Sequence, residues 1–229
     1  TRPIFKFLKP YIMKTTADQY IDTLIQIPAG KVTLEGKLVI PTNAWSLVIF
    51  SHGSGSSRFS PRNNFVAEKL QKQEMGTLLF DLLTEKEDRN YETRFDIGLL
   101  TERLLQVTEW LLDQKEIKKR NIGYFGASTG AASALKAAAR LGIKIKAIVS
   151  RGGRPDLAMN ILDQVKSPTL LIVGGEDYSV LELNQQAYNR IKATKNLAVV
   201  AGATHLFEEE GKLEEVADLA IKWYKRYLG

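Results

Sequence analysis

Residues 126–130 read Gly-Ala-Ser-Thr-Gly, a serine flanked at two removes by glycines. Such a pentad arises by chance in roughly one chain of this size in ten or twenty, given how common these residues are. Ser128 therefore needs partners before it means anything. A serine hydroxyl is a poor nucleophile at neutral pH and acts only beside a base. The chain has two histidines, His52 and His205, each at the end of an apolar run. A third group must orient the imidazole and stabilise its charged form. Asp177, in VGGEDYSV, is the preferred acid, because the glycine turn before it should aim it from a strand end; Glu176 is its rival. These types together describe nucleophilic attack on a carbonyl carbon.

That reaction also develops an oxyanion, which needs two backbone donors. Thr129 N–H, directly after the serine, is one. The other is expected from the glycine-rich stretch HGSGSS (52–57), with Ser54 N–H preferred. The same stretch lacks the Gly-Lys-Ser/Thr ending of a phosphate-binding P-loop. Arg58, Arg151 and Arg154 fall in loops expected on the same side. An arginine there could grip a substrate carboxylate or phosphate. The favoured reading is a salt-bridged scaffold, the arginines pairing with Asp81, Glu85 or Asp156.

The elements that must position these residues alternate. Residues 24–41 alternate apolar and polar side chains around Gly30 and Gly36, as in an antiparallel β start. Short apolar runs at 45–53, 76–83, 120–128, 145–153, 167–177 and 196–205 read as strands buried on both faces. Helical patterns lie between them at 60–73, 94–114, 129–142, 156–165 and 181–191, and a last one spans 212–228. Strand–helix alternation predicts an α/β fold, a mostly parallel, doubly wound sheet covered on both faces. Ligands of such sheets lie beyond the carboxyl ends of the strands. Ser51–Ser57, Asp81, Ser128, Arg151, Asp177 and His205 all fall at such ends. Ser128 follows a strand and opens a helix, the setting of a nucleophile elbow, whose partners come later in the chain as acid and then histidine. Asp177 and His205 satisfy that order; His52 precedes the serine.

The 229 residues are 44% hydrophobic and 25% charged, ordinary for one α/β domain. The absence of cysteine excludes a disulfide scaffold, a thiolate nucleophile and a Cys-ligated zinc site, and it fits a cytoplasmic setting. No apolar run approaches the roughly 18 residues of a membrane span. The net charge of +6 concentrates in KEIKKR (115–120) and the last nine residues. Without an interleaved aromatic and basic stripe, it does not point to nucleic acid. Residues 1–22 read as a basic N-terminal arm or the remnant of a neighbouring region, and 23–229 as the folded domain. No metal-ligand cluster or nucleotide fingerprint is evident, and the chemistry needs no cofactor.

The stretches SHGSGSSRFSPRN (51–63), FDLLT (80–84), GASTGAASAL (126–135), SRGGRPDLA (150–158), LLIVGGED (170–177) and GATHLFEE (202–209) resemble α/β-hydrolases of the dienelactone hydrolase-like group. The resemblance is closer to a branch whose hydrolase domain is often fused behind a phosphoribosyltransferase domain. It implies Ser128, Asp177 and His205 as the triad. Dienelactone hydrolase proper uses a cysteine nucleophile, so its lactone substrate is not carried over. The residues before about 24 are too few for a phosphoribosyltransferase, so that activity is expected to be lost or supplied by another chain. No insertion is long enough for a large lid; 84–95 and 151–165 offer only partial cover over an open or shallow pocket. The expectation is a serine hydrolase for small esters, thioesters or lactones. The alternative is a non-catalytic binding or regulatory module that partners a phosphoribosyltransferase.

Overall fold

The computed structural model describes residues 20–229, so most of the 1–22 arm lies outside the described residues. Ile21 and Asp22, read with that arm, belong instead to strand β1 (Ile21–Ala29), which forms a hairpin with β2 (Val32–Ile40). The alternating pattern at 24–41 is thus two antiparallel strands in register from Ile21↔Ile40 to Ala29↔Val32. After it come β3 (Ser46–Ser51), β4 (Met75–Phe80), β5 (Asn121–Ala127), β6 (Ile145–Arg151), β7 (Thr169–Gly174) and β8 (Lys195–Val200). They form one eight-stranded sheet in the order β1-β2-β4-β3-β5-β6-β7-β8. β1 and β2 run antiparallel, and every pair from β4 to β8 is parallel.

Helices cover both faces. α1 (Pro61–Gln71) and α6 (Lys212–Tyr227) pack over Phe50, Phe125 and Val149. α3 (Ile97–Leu112), α4 (Thr129–Leu141) and α5 (Tyr178–Arg190) cover the other face, around Ile49, Tyr124 and Ile148. Consecutive residues of β5 thus serve opposite cores, the period-2 consequence of a pleated strand. Buried hydroxyls find partners: Tyr124 Oη meets Thr108 Oγ1 at 2.7 Å, and Tyr224 Oη donates to the Tyr124 carbonyl at 2.7 Å.

Local chemistry starts the helices where expected. Ser60 caps α1 through Asn63 N–H, with Pro61 at the first helical position. Asp96 caps α3 by accepting from Leu99 N–H at 2.9 Å. The connection between β4 and α3 carries the short helix α2 (Glu85–Asp88), closed by a Thr84–Glu87 capping box, and a 3₁₀ turn at Glu92–Phe95. The helical pattern at 156–165 becomes 3₁₀ turns over Pro155–Gln164. The segment is packed between α4 and α5 and tethered at its start by Arg154 N–H to the Ser128 carbonyl (3.0 Å). Tertiary contact, rather than helical period, sets its winding. Every strand from β3 to β8 is shorter than its apolar run; β4, for example, stops at Phe80 and β8 at Val200. Among the described residues, no helix is long and apolar enough to cross a membrane.

Candidate active site

Ser128 sits between β5 and α4 with φ 51° and ψ −123°. A non-glycine residue at positive φ is strained and persists only where its surroundings over-determine it. Three backbone bonds do so here. Ser128 N–H donates to the Arg151 carbonyl at 3.2 Å, and the Ser128 carbonyl accepts from Ala131 N–H (3.1 Å) and Arg154 N–H (3.0 Å). The crossing behind the serine is very close. A Cβ added to Gly130 would lie 2.1 Å from the Ser51 carbonyl oxygen, and one on Gly126 would lie 2.5 Å from Ala131 Cα. The alanines of α4 keep that approach thin: Ala131, Ala132, Ala134, Ala137 and Ala138 are all fully buried. The N-terminal end of α4 therefore points its partial positive charge at the serine.

The acid and the histidine meet. His205 Nδ1 donates to Asp177 Oδ2 at 2.6 Å, which leaves Nε2 as the free ring nitrogen. Asp177 is the residue before α5, yet its carboxylate makes no capping bond to that helix. Glu176, the rival acid, instead accepts from the Tyr178 hydroxyl. His205 rides the loop after β8, anchored by fully buried Phe207 and by Thr204, whose N–H and hydroxyl both donate to Glu209 Oε1. That loop comes near the serine's strand end: a Cβ on Gly152 would lie 3.5 Å from His205 Cε1, and Gly152 adjoins the Arg151 carbonyl that holds Ser128.

The β3 loop supplies the other wall. A Cβ on Gly53 would lie 3.1 Å from Ser128 Cβ, so Gly53 packs directly against the serine. Ser54 N–H, expected as an oxyanion donor, donates to Thr129 Oγ1 at 2.8 Å. Its single hydrogen is engaged, and the bond clamps the loop to the first residue of α4. Thr129 N–H stands in the first turn of α4, where no intrahelical acceptor exists.

His52 has a different task from His205. Nδ1 donates to the Gly53 carbonyl (2.9 Å), and Nε2 accepts from Leu82 N–H (3.0 Å). Both nitrogens are used, and the ring ties the ends of β3 and β4 together. Burial pushes its pKa below the ordinary 6.5, outweighing the bond to Gly53 and the charges of Asp81 and Asp88. The unfolded chain therefore binds a proton that the folded one refuses, and stability falls as pH drops below about 6.5 towards the folded value. Urea unfolding of wild type at pH 7 and pH 5 should show that loss. His52→Gln, which keeps an acceptor near Leu82 N–H, should lose less over the same interval. Equal losses in the two proteins would place the acid sensitivity elsewhere.

The three arginines separate. Arg58 pairs with Asp81 and Glu35 and receives further support from its own N–H to Asp81 Oδ1 at 2.7 Å. Arg154 pairs side-on with Asp156 through two 2.8 Å bonds. Arg151 has no carboxylate partner among the described residues; it donates to Asn63 Oδ1 at 3.2 Å and is almost wholly buried. Arg58, Asp81 and His52, with Thr33, Ser57 and Asp88, line a polar cavity of about 430 Å³ whose lining does not include Ser128. Sequence reasoning missed the Ser54–Thr129 clamp, the role of His52 and the contact of Asn63 with Arg151. Only His52 carried a signal, its place at an apolar strand's end. Among the described residues, no group of three or more His, Asp or Glu side chains could hold a metal ion.

With this geometry in place, the relatives are informative. The model of the family described as "Dienelactone hydrolase family" matches residues 46–228. Two proteins of Mycobacterium tuberculosis (strains H37Rv and CDC 1551), each bearing the name "Putative phosphoribosyl transferase", are 54% identical over 207 residues. The match covers 90% of this chain and 47% of theirs, so the chain spans about half the length of these relatives. The crystal structure of a dienelactone hydrolase from Anabaena variabilis is similar with a TM-score of 0.90 at 49% identity, covering 92% of this chain and all of that one. Est1E from Butyrivibrio proteoclasticus shares the fold at TM-score 0.77 and 17% identity, over 89% of this chain and 98% of that one. An eight-stranded, mostly parallel sheet with an antiparallel start, a strained serine between β5 and α4 and matches of this extent lead to one conclusion: the chain belongs to the dienelactone hydrolase family and has the α/β-hydrolase fold.

Proposed function

We propose that the protein is a serine hydrolase that cleaves small esters, thioesters or lactones through an acyl-enzyme on Ser128. The observation that carries this reading is the 2.6 Å bond from His205 Nδ1 to Asp177, beside a serine held at φ 51°. In the proposed reaction His205 Nε2 takes the Ser128 proton as Oγ attacks the carbonyl carbon. The imidazolium, stabilised by Asp177, returns the proton to the leaving group, and water then repeats the sequence to release the acid. Thr129 N–H is the first oxyanion donor. We assign the second to Gly53 N–H, since Gly53 packs against the serine while Ser54 N–H already has an acceptor. The Ser54–Thr129 clamp then keeps both donors in place. The polar cavity is built from β2, the β3 loop and the segment after β4, on the side of the sheet order where β4 and β2 follow β3. It suits the hydrophilic end of an extended substrate.

We place the reaction in the cytoplasm, in keeping with a chain free of cysteine, and read a phosphoribosyltransferase as its partner, since the curated relatives extend well beyond the matched half. The test is intact mass after treatment with a fluorophosphonate probe, followed by a panel of esters, thioesters and lactones. One stoichiometric adduct supports an activated serine. No adduct on folded protein would favour the binding-module alternative.

Substrate anions should owe little to Arg58 or Arg154, because each already faces a carboxylate. Arg154→Gln should change kcat/KM for 4-nitrophenyl butyrate and 4-nitrophenyl hemisuccinate by the same factor. A selective loss on the hemisuccinate, on the order of tenfold or more, would make Arg154 a carboxylate ligand.

A further inference from the structure

Arg151 is the anomaly of the molecule. It is 5% exposed, and its Nε is buried without a partner. Its guanidinium makes a single hydrogen bond, to Asn63 Oδ1, and it has no ion pair among the described residues. Burial, and then the nearby charge of Arg62, hold its pKa down to about 10. At neutral pH it is therefore still a cation, enclosed, beside a second cation. Arg62 is only partly answered: Nη1 reaches Glu208 Oε1 at 2.7 Å, while its own Nε is buried and unpartnered. Arg62 and Asn63 both belong to the first turn of α1, an eleven-residue helix whose N-terminal end adds partial positive charge. Water could satisfy the free N–H groups but not the charge. Buried charges in folded proteins are paired, and guanidinium forks suit small anions.

We infer that a small free anion binds between Arg151 and Arg62 at the N-terminal turn of α1, with Asn63 beside it. Enclosure at this depth suits a free ion of chloride, acetate or phosphate size rather than a carboxylate tethered to a substrate. The bound anion fastens the end of β6 to α1. Because the Arg151 carbonyl accepts the Ser128 N–H, it also braces the strand end that holds the elbow. The inference does not depend on the proposed catalysis, and its test reads stability rather than turnover.

Thermal unfolding of the full chain is measured at constant ionic strength as sodium gluconate is replaced by sodium chloride, acetate or phosphate. An anion that binds only the folded state raises Tm by saturable linkage, about 5 °C at a hundredfold excess over Kd. Asn63→Asp places a carboxylate against Arg151 from within, so its Tm in gluconate should match or exceed that of wild type and the added anion should no longer raise it. Arg151→Met should likewise lose the increment. A wild-type Tm that is the same in all four salts within about 1 °C overturns the site, as does an increment that survives in Asn63→Asp. Failure of either variant to fold leaves the wild-type salt series decisive.

Discussion

Replacing Ser128 with alanine should lower kcat by about five orders of magnitude, on the scale seen when a member of a serine triad is removed. The same substitution should abolish the fluorophosphonate adduct. Its Tm should stay within a few degrees of wild type, because alanine inherits the positive φ and loses no hydrogen bond assigned to the side chain. Ser128→Gly offers the complementary readout. Glycine relieves the strained φ, so it should be as inactive as alanine yet more stable by about 1 kcal/mol. Asp177→Asn should lower kcat by about 10⁴-fold, since the amide would favour the wrong imidazole tautomer. A Ser128→Ala protein that retained even one per cent of wild-type turnover would remove the acyl-enzyme reading, whatever the fold.

The second large effect belongs to a residue that touches no substrate. Gly130→Ala would put a Cβ 2.1 Å from the Ser51 carbonyl oxygen and 2.5 Å from that of His52. Both are backbone atoms of the strand end beside the elbow and cannot rotate away. α4 must retreat from β3, at a cost of about 3 kcal/mol or more. For a domain of this size that lowers Tm by about 10 °C. The retreat also carries Thr129 N–H and the Ser54 clamp away from the serine, so residual activity should fall more than stability. Gly142→Ala provides the control. It has φ +57° with nothing within 4 Å of the added Cβ, so it should cost only about 1 kcal/mol and leave kcat unchanged. Matching losses in the two variants would mean that the α4–β3 approach relaxes around the added Cβ at little cost.

By itself, the sequence determined the order of events along the chain. Apolar runs of strand length separated by amphipathic helices imply a doubly wound sheet, because period and length are local properties of a chain that must bury both faces. From that topology Ser128, Asp177 and His205 fall at strand ends in the order an elbow requires. The family resemblance rested on the same stretches and agrees with the match over residues 46–228. Only the tertiary structure decided what depends on contacts between distant residues. It joined His205 to Asp177 and turned Glu176 to Tyr178, a choice between adjacent carboxylates set by which one the loop after β8 approaches. It engaged Ser54 N–H with Thr129, 75 residues away, and so moved the proposed oxyanion donor to Gly53. It wound 155–164 into 3₁₀ turns between two helices. It also separated three arginines of similar sequence setting, pairing Arg58 and Arg154 with carboxylates and burying Arg151 against Asn63. Composition and period record what each segment must bury. They do not record which polar atoms meet, because a hydrogen bond needs two groups within about 3 Å, and folding alone brings such groups together.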